Sequence, residues 1–309
     1  MRLLFYIKKH IVVTAGSLII LTGILSVHFY LPRIFIEPNN IVVKLINKAP
    51  KKLNPDDFGL ENSELEVYTK DGYKLKAYKI YSEVAKNKGT IIFLHGIRAY
   101  KEHFLPMCKL LSQKGFNSVI VDLRGHGESG GTYCTFGYKE KHDILSMIDM
   151  IMLDKRLNKN IGIWGQSLGG AIALQTMAID KRIKYGIVES TFSDLNDVSE
   201  EYLKRLLKLE NASISKYLLN RVYDIAEIKS KDVCPKEIVK KITQPIVLVH
   251  GANDKRINIY HAHLNYKNIK SEDKTFLQIE NATHLNVWKQ GGSNYFKTLV
   301  SFLENNAAQ

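Results

Sequence analysis

Three cysteines in 309 residues (Cys108, Cys134 and Cys234) are too few, and odd in number, for a disulfide framework, and none has the spacing of a zinc site. Seven prolines and 20 glycines exclude a low-complexity or collagen-like chain. Acidic residues are also short, with 31 Asp and Glu against 44 Lys and Arg, a net charge of +13. That excess raises nucleic acid as a partner. The basic residues are scattered, however, and no zinc finger, RNA-recognition signature or basic zipper is present, so no nucleic acid is expected. An anionic membrane surface is the other source of attraction, worth ~1 kcal/mol per well-placed Lys or Arg. The remaining composition, 45% hydrophobic and 24% charged, is that of a globular chain. A core of this size holds a buried active site without disulfide staples.

Residues 11–31 (IVVTAGSLIILTGILSVHFYL) contain no Asp, Glu, Lys or Arg over 21 positions. At about 1.5 Å per residue a helix of this length reaches the ~30 Å hydrocarbon thickness of a bilayer. Arg2, Lys8 and Lys9 precede it, and Phe29 and Tyr30 close it, Tyr favouring the interface. A cleaved signal peptide would need a shorter apolar core and small residues before the cleavage point, and residues 27–32 are bulky there. Residues 1–32 therefore read as a single-pass anchor. The basic residues before it place the catalytic domain on the non-cytoplasmic side. Arg33, Lys44, Lys48, Lys51 and Lys52 beyond it, and the unpaired cysteines, pull the other way.

Residues 33–62, with Pro38, Pro50 and Pro55, read as a linker with a short helix. Residues 63–69 and 73–81 alternate apolar with polar around Asp71-Gly72, a β-hairpin signal. Short apolar strands then follow at 90–94, 117–121, 161–164, 183–189, 245–249 and 275–279. Helical patterns lie between them at 102–114, 138–153, 168–179 and 258–267, and a last one at 293–304. A hairpin followed by alternating strands and helices implies an α/β fold: a mostly parallel central sheet with helices on both faces. Residues 191–241 break the rhythm with helical patterns and no strand. They read as a helical cap insertion over the carboxyl ends of the strands, where such sheets bind ligands. One domain is thus expected over 63–309.

Gly165-Gln166-Ser167-Leu168-Gly169 fits G-x-S-x-G between an apolar strand and a helix. A sharp strand-to-helix turn strains the serine backbone, and side chains at the two glycines would collide with neighbouring backbone. Ser167 is thereby raised above the sheet as a nucleophile. Its oxyanion hole needs two backbone N–H groups. Leu168 supplies one, and Ile97, following His95-Gly96 at the end of an earlier strand, supplies the other. A serine is inert until a base, oriented by an acid, takes its proton. Asp254 lies just past the apolar run 247–249 and His284 just past 275–280, giving the order Ser…Asp…His with separations of 87 and 30 residues. Glu189, ending the strand after the nucleophile helix, is the rival acid. Among the other histidines, His95 and His250 read as structural residues at strand ends and His126 sits in a Gly-rich loop. His261 and His263, two apart on a helix, face different sides. Asn211-Ala212-Ser213 and Asn281-Ala282-Thr283 match the glycosylation pattern; the second adjoins the expected base, and both read as chance matches.

His95-Gly96, the loop Asp122-Leu123-Arg124-Gly125-His126-Gly127-Glu128-Ser129-Gly130, Gly165–Gly169 and the Asp254/His284 pair occur in the order seen in α/β-hydrolases. Over roughly residues 65–303 the chain resembles their serine aminopeptidase/monoacylglycerol-lipase-like group, which includes membrane-anchored bacterial members. The resemblance implies the α/β-hydrolase fold, a mainly structural role for the 122–130 loop, and, from a single glycine after His95, medium or long acyl substrates. The chain has Ile257-Asn258 where family members often have Val-Pro after the acid.

The expected activity is hydrolysis of acyl esters, including thioesters and lipid esters, through an acyl-Ser167 intermediate, with no cofactor and no metal. The expected partners are a small-molecule or lipid acyl substrate and the membrane; oligomeric state is left open. Two alternatives stand beside it. A membrane-tethered serine aminopeptidase would use Glu200, Glu201 or Glu210 in the cap to hold a substrate ammonium group. A non-catalytic interaction protein would leave the Ser, Asp and His unused. The cap stretch 200–241 carries only a net +3, so the basic excess is spread thinly.

Overall fold

A computed structural model describes residues 2–42, 53–208 and 211–307. Lys44, Lys48, Lys51, Lys52 and Glu210 lie outside the described residues.

The strands are β1 (Asn62–Tyr68), β2 (Lys74–Ile80), β3 (Gly89–Leu94), β4 (Phe116–Val121), β5 (Ile161–Gln166), β6 (Ile183–Glu189), β7 (Ile246–Gly251) and β8 (Lys274–Ile279). They form one eight-stranded sheet in the order β1-β2-β4-β3-β5-β6-β7-β8. β1 pairs antiparallel with β2 from Asn62↔Ile80 to Tyr68↔Lys74, and β2 antiparallel with β4; all other pairs are parallel. The hairpin turns at Gly72 with φ +85°, a conformation available to glycine without strain. The parallel strands are near-continuous apolar runs because both faces are covered. Ile91 and Phe93 pack with Trp164, Ile187 and Val249 on one face, and Ile92 and Leu94 with Ile163, Val188 and Leu248 on the other. Each such side chain contributes roughly 1.5–3 kcal/mol by leaving water.

Helices α1 (Arg2–Leu25) and α2 (Leu31–Ile36) precede the sheet. α3 (Leu105–Gln113), α4 (Glu140–Leu153), α5 (Leu168–Ile179), α6 (Leu195–Leu207), α7 (Ala212–Ala226), α8 (Pro235–Ile238), α9 (Ile259–Asn268) and α10 (Val287–Ala307) follow. α3 starts three residues later than its pattern suggests, behind a 3-10 turn at Lys101–Phe104, with Pro106 in its first turn. α10 is kinked at Gly292 (φ 52°, ψ −141°). Between 191 and 241 the chain forms α6, α7, α8 and 3-10 turns. Asp194 caps α6 by accepting from the Asn196 and Asp197 N–H groups, and Asn211 caps α7 by accepting from Ser213 and Ile214. Asn211 therefore has a structural use as a cap.

At the N-terminus, α1 runs through a π-helical turn (Ser26–Tyr30) into α2. The span Phe5–Ile36 has a mean hydropathy of 2.0 over its most apolar stretch, none of it buried, and is long and apolar enough to cross a membrane. The sequence suggests a boundary at residue 32, with a linker beyond. The structure instead packs α2 into the folded body. Ile36 is fully buried with Phe192, Leu195 and Val222, and Leu31 joins Leu203, Leu218 and Leu219. The Ile34 carbonyl accepts from Arg98 Nη2 (2.8 Å) and the Ile36 carbonyl from the Cys134 N–H (2.8 Å). Pro32 does not end the helix because it stands in the first turn of α2, where its missing N–H costs nothing.

Candidate active site

Parallel pairing brings the carboxyl ends of β5, β7 and β8 to one edge of the sheet, and Ser167, Asp254 and His284 follow these three strands. Ser167 has φ 53° and ψ −114°, a strained conformation between β5 and α5. Its N–H donates to the Glu189 carbonyl (2.8 Å), and its own carbonyl accepts from Thr191 Oγ1 (2.7 Å). The motif glycines are required by contact. A Cβ at Gly169 would lie 1.9 Å from the Leu94 carbonyl oxygen, and one at Gly165 would lie 2.2 Å from that of Gly169. The close approach of α5 to β3 and β5 that these contacts measure sets the height of Ser167 above the sheet.

His284 Nε2 lies 2.9 Å from Ser167 Oγ, and His284 Nδ1 lies 2.7 Å from Asp254 Oδ2. The Asp254 carboxylate is fully buried and the imidazole nearly so. Asp254 Oδ1 accepts from the N–H groups of Arg256 (2.8 Å) and Ile257 (3.0 Å). Burial pushes the Asp254 carboxyl up. Hydrogen bonds from His250, His284 and the Ile257 N–H, with the attraction of His284, outweigh it and hold the group well below the usual carboxylate range. The sequence marks His250 as a structural residue. It is fully buried, donates from Nε2 to the Ile257 carbonyl (2.9 Å), and stands 3.3 Å from Asp254 Oδ2. It thus steadies the Asp254 carboxylate, a contact that its strand-end position alone does not disclose.

Ile97 and Leu168 border the space around Ser167. Gly96 brings the Ile97 loop against Ser167: a Cβ there would sit 3.4 Å from Ser167 Cβ. His95 orders that loop. Its Nδ1–H donates to the Gly96 carbonyl (2.7 Å) and its Nε2 accepts from the Leu123 N–H (3.1 Å). This arrangement needs the neutral ring, and desolvation pushes its pKa down to about 4. His126, ring-to-ring with His95 at 4.9 Å, is likewise pushed down by burial, to about 3.

The rival acid is engaged elsewhere. Glu189 accepts from Trp164 Nε1, from Tyr295 OH (2.9 Å) and from Gln166 Nε2 (3.3 Å), and burial raises its pKa. Partners 25 and 106 residues away are invisible to a local reading of the sequence. His261 meets Ser193 Oγ (2.8 Å) and Glu201 (3.4 Å), tying α9 to the cap, and His263 packs on Phe276. Glu200 is exposed. Among the described residues no group of three or more His, Cys, Asp or Glu gathers as a metal site.

A cavity of about 140 Å³ opens from Ser167 and His284 under the cap. Its walls are mainly apolar, with Leu195, Val198 and Leu203 from α6, Leu219 and Val222 from α7, and Phe35 from α2. Arg98 and Arg256 are its charged lining residues; no carboxylate lines it among the described residues.

The serine aminopeptidase (S33) family model matches residues 85–234, a span that includes Ser167 and ends before Asp254 and His284. YqkD of Bacillus subtilis is 25% identical over 252 residues, 80% of each chain. The bem46 protein of Schizosaccharomyces pombe is 25% identical over 256 residues, 82% of this chain and 80% of that one. Among solved structures, the Pyrococcus furiosus esterase Pf2001 superposes with a TM-score of 0.70 at 23% identity, covering 84% of this chain and 97% of its own. The chain has the α/β-hydrolase fold and is similar in sequence to proteins of that family.

Proposed function

We propose that the protein is a membrane-anchored serine hydrolase that cleaves esters and thioesters of apolar acyl groups through an acyl-Ser167 intermediate. The observation that carries this reading is the hydrogen-bonded chain Ser167–His284–Asp254 at the mouth of an apolar cavity. His284 takes the Ser167 proton as Oγ attacks the acyl carbonyl, then gives it to the leaving oxygen or sulfur. Asp254 stays ionised, fixes the tautomer with the proton on Nδ1, and stabilises the imidazolium. The N–H groups of Ile97 and Leu168 hold the tetrahedral oxyanion. Water then attacks the acyl-serine by the same proton path in reverse, releasing the acid. The apolar helix 5–36 supports a membrane anchor, and its continuation into the cavity wall at Phe35 brings the acyl site close to the bilayer.

An aminopeptidase needs a carboxylate in the substrate cavity for the ammonium group. Of the residues considered for that role, Glu201 is paired with His261 and Glu200 is exposed away from the cavity; Glu210 lies outside the described residues. Arginines line the cavity instead, which favours the ester reading. Turnover of p-nitrophenyl acyl esters is expected from the wild type and is expected to fall at least roughly 10³-fold in Ser167→Ala, with an unchanged circular-dichroism spectrum. Equal turnover by the two proteins contradicts the assignment.

A further inference from the structure

His284 borders two spaces. One is the apolar cavity. The other is an open cleft bordered by Asn253, Lys255, Arg256, Thr283, His284 and Leu285. His284 and Arg256 border both spaces, so cavity and cleft meet at the imidazole. The chemistry gives the two spaces different occupants. The acyl chain needs apolar walls, which the cavity supplies. The leaving group must reach the proton on His284 Nε2, so it departs on the side of the histidine.

The cleft is cationic by construction. Lys255 and Arg256 are both exposed, and neither side chain pairs with a carboxylate among the described residues. The turn bearing the two free cations is also held in place from both sides. Asp254 Oδ1 accepts from the Arg256 N–H, and Arg205 of the cap donates to the carbonyls of Lys255 and Arg256, both at 2.8 Å. Arg205 is itself positioned over the Tyr202 ring, 4.6 Å from its centroid. The carboxylate that orients the base therefore also orients the cations.

We propose that this cleft is the leaving-group site and that it selects an alcohol bearing a phosphate, so that the preferred substrates are acyl esters of a phosphorylated alcohol such as glycerophosphate. This rests on the serine-hydrolase reading above. In the acylation step the bond from acyl carbon to alkoxy oxygen breaks, the bond to Ser167 Oγ forms, and the serine proton passes through His284 to the departing oxygen. The phosphate is not attacked. Arg256 and Lys255 hold it while the ester is aligned. Water completes hydrolysis, so the products are a carboxylic acid and the phosphorylated alcohol.

The test compares kcat/KM of the full-length protein in detergent for substrates with one acyl chain and different leaving groups. Palmitoyl-lysophosphatidylglycerol is set against monopalmitoylglycerol. Octanoyl-glycerol-3-phosphate against monooctanoylglycerol tests the same chemistry on a soluble carrier. A preference of at least about tenfold for the phosphorylated partner is expected, falling in 0.5 M NaCl because exposed charges are screened. In Lys255→Gln/Arg256→Gln the ratio is expected to approach one, and in Arg256→Lys to persist in part. Preference in the palmitoyl pair alone assigns the site to a lipid headgroup, and preference in both assigns it to the phosphate itself. No preference in the wild type, a preference retained in the double variant, or an equal loss on both members of a pair overturns the proposal. A fluorophosphonate label on Ser167 separates the two readings. Labelled protein with no phosphate preference removes the leaving-group site and leaves the hydrolase, whereas unlabelled protein removes the hydrolase reading itself.

Discussion

The edge of the sheet and the cover above it are built differently. At the edge, Asp254 and His250 are buried and Ser167 and His284 partly so, joined by short hydrogen bonds, with the Ser167 turn fixed by glycines that tolerate no Cβ. The cover, made of α2, α6 and α7, is held chiefly by apolar contacts around Ile36, Val198, Leu218 and Val222. A few polar ties join it to the body: Arg98 to the Ile34 carbonyl, Arg205 to the Lys255 and Arg256 carbonyls, and His261 to Glu201. Directional bonds fix reacting atoms to within tenths of an ångström, as transition-state stabilisation demands. Apolar packing is non-directional and accepts a change of shape. On this contrast, substitutions at the edge should act on kcat, and substitutions in the cover on which acyl chain is taken.

The largest effect is expected at the edge. Asp254→Asn keeps the shape but forces the wrong tautomer on His284, and kcat is expected to fall by about 10⁴-fold with little change in KM. A KM effect without loss of kcat would move Asp254 out of the reacting machinery.

A smaller effect concerns the loop that carries Ile97. His95 is neutral in the fold, with a pKa lowered to about 4 against an ordinary value of 6.5. Between those values the unfolded chain binds the proton and the folded chain does not. Stability is therefore fully present above pH 6.5 and is lost as pH falls towards 4. From pH 7.5 to pH 5 the loss from His95 is about 2 kcal/mol, with His126 acting in the same direction. Urea unfolding midpoints at the two pH values measure it. An unchanged midpoint would mean that the rings are not held neutral.

The smallest effect belongs to the cover. Phe35 lines the cavity and meets Tyr202 edge-on at 6.3 Å. Phe35→Ala is expected to raise KM for long-chain esters by roughly three- to tenfold, the loss of part of one buried aromatic contact, and to lower the ratio of long-chain to short-chain turnover. An equal change at every chain length would erase the distinction between edge and cover.

The same contrast governs what can be read from sequence. Buried parallel strands are continuous apolar runs, and the tight strand-to-helix turn advertises itself through glycines on both sides of Ser167, so the fold class and the residues at the strand ends are legible. The place of α2 is not. Residues 31–36 continue the apolar run of the N-terminal helix without a change of composition, and only tertiary contacts distinguish its exposed leucine, isoleucine and phenylalanine from those packed into the body. The support of Asp254 by His250 and the three donors on Glu189 were hidden for a different reason: both depend on which side chains a parallel sheet brings to one edge. Arg256 is inconspicuous in the sequence, because a surface arginine beside an acid has no distinguishing mark apart from the cleft that it borders.

The central claim is that Ser167 carries the acyl group. Intact-protein mass spectrometry of the enzyme, acid-quenched during turnover of a long-chain p-nitrophenyl ester, tests it most directly. An adduct of the mass of one acyl group, mapped to the peptide containing Ser167 and absent from Ser167→Ala, is the predicted result. Turnover without an adduct on that peptide, or an adduct that survives in Ser167→Ala, would contradict it.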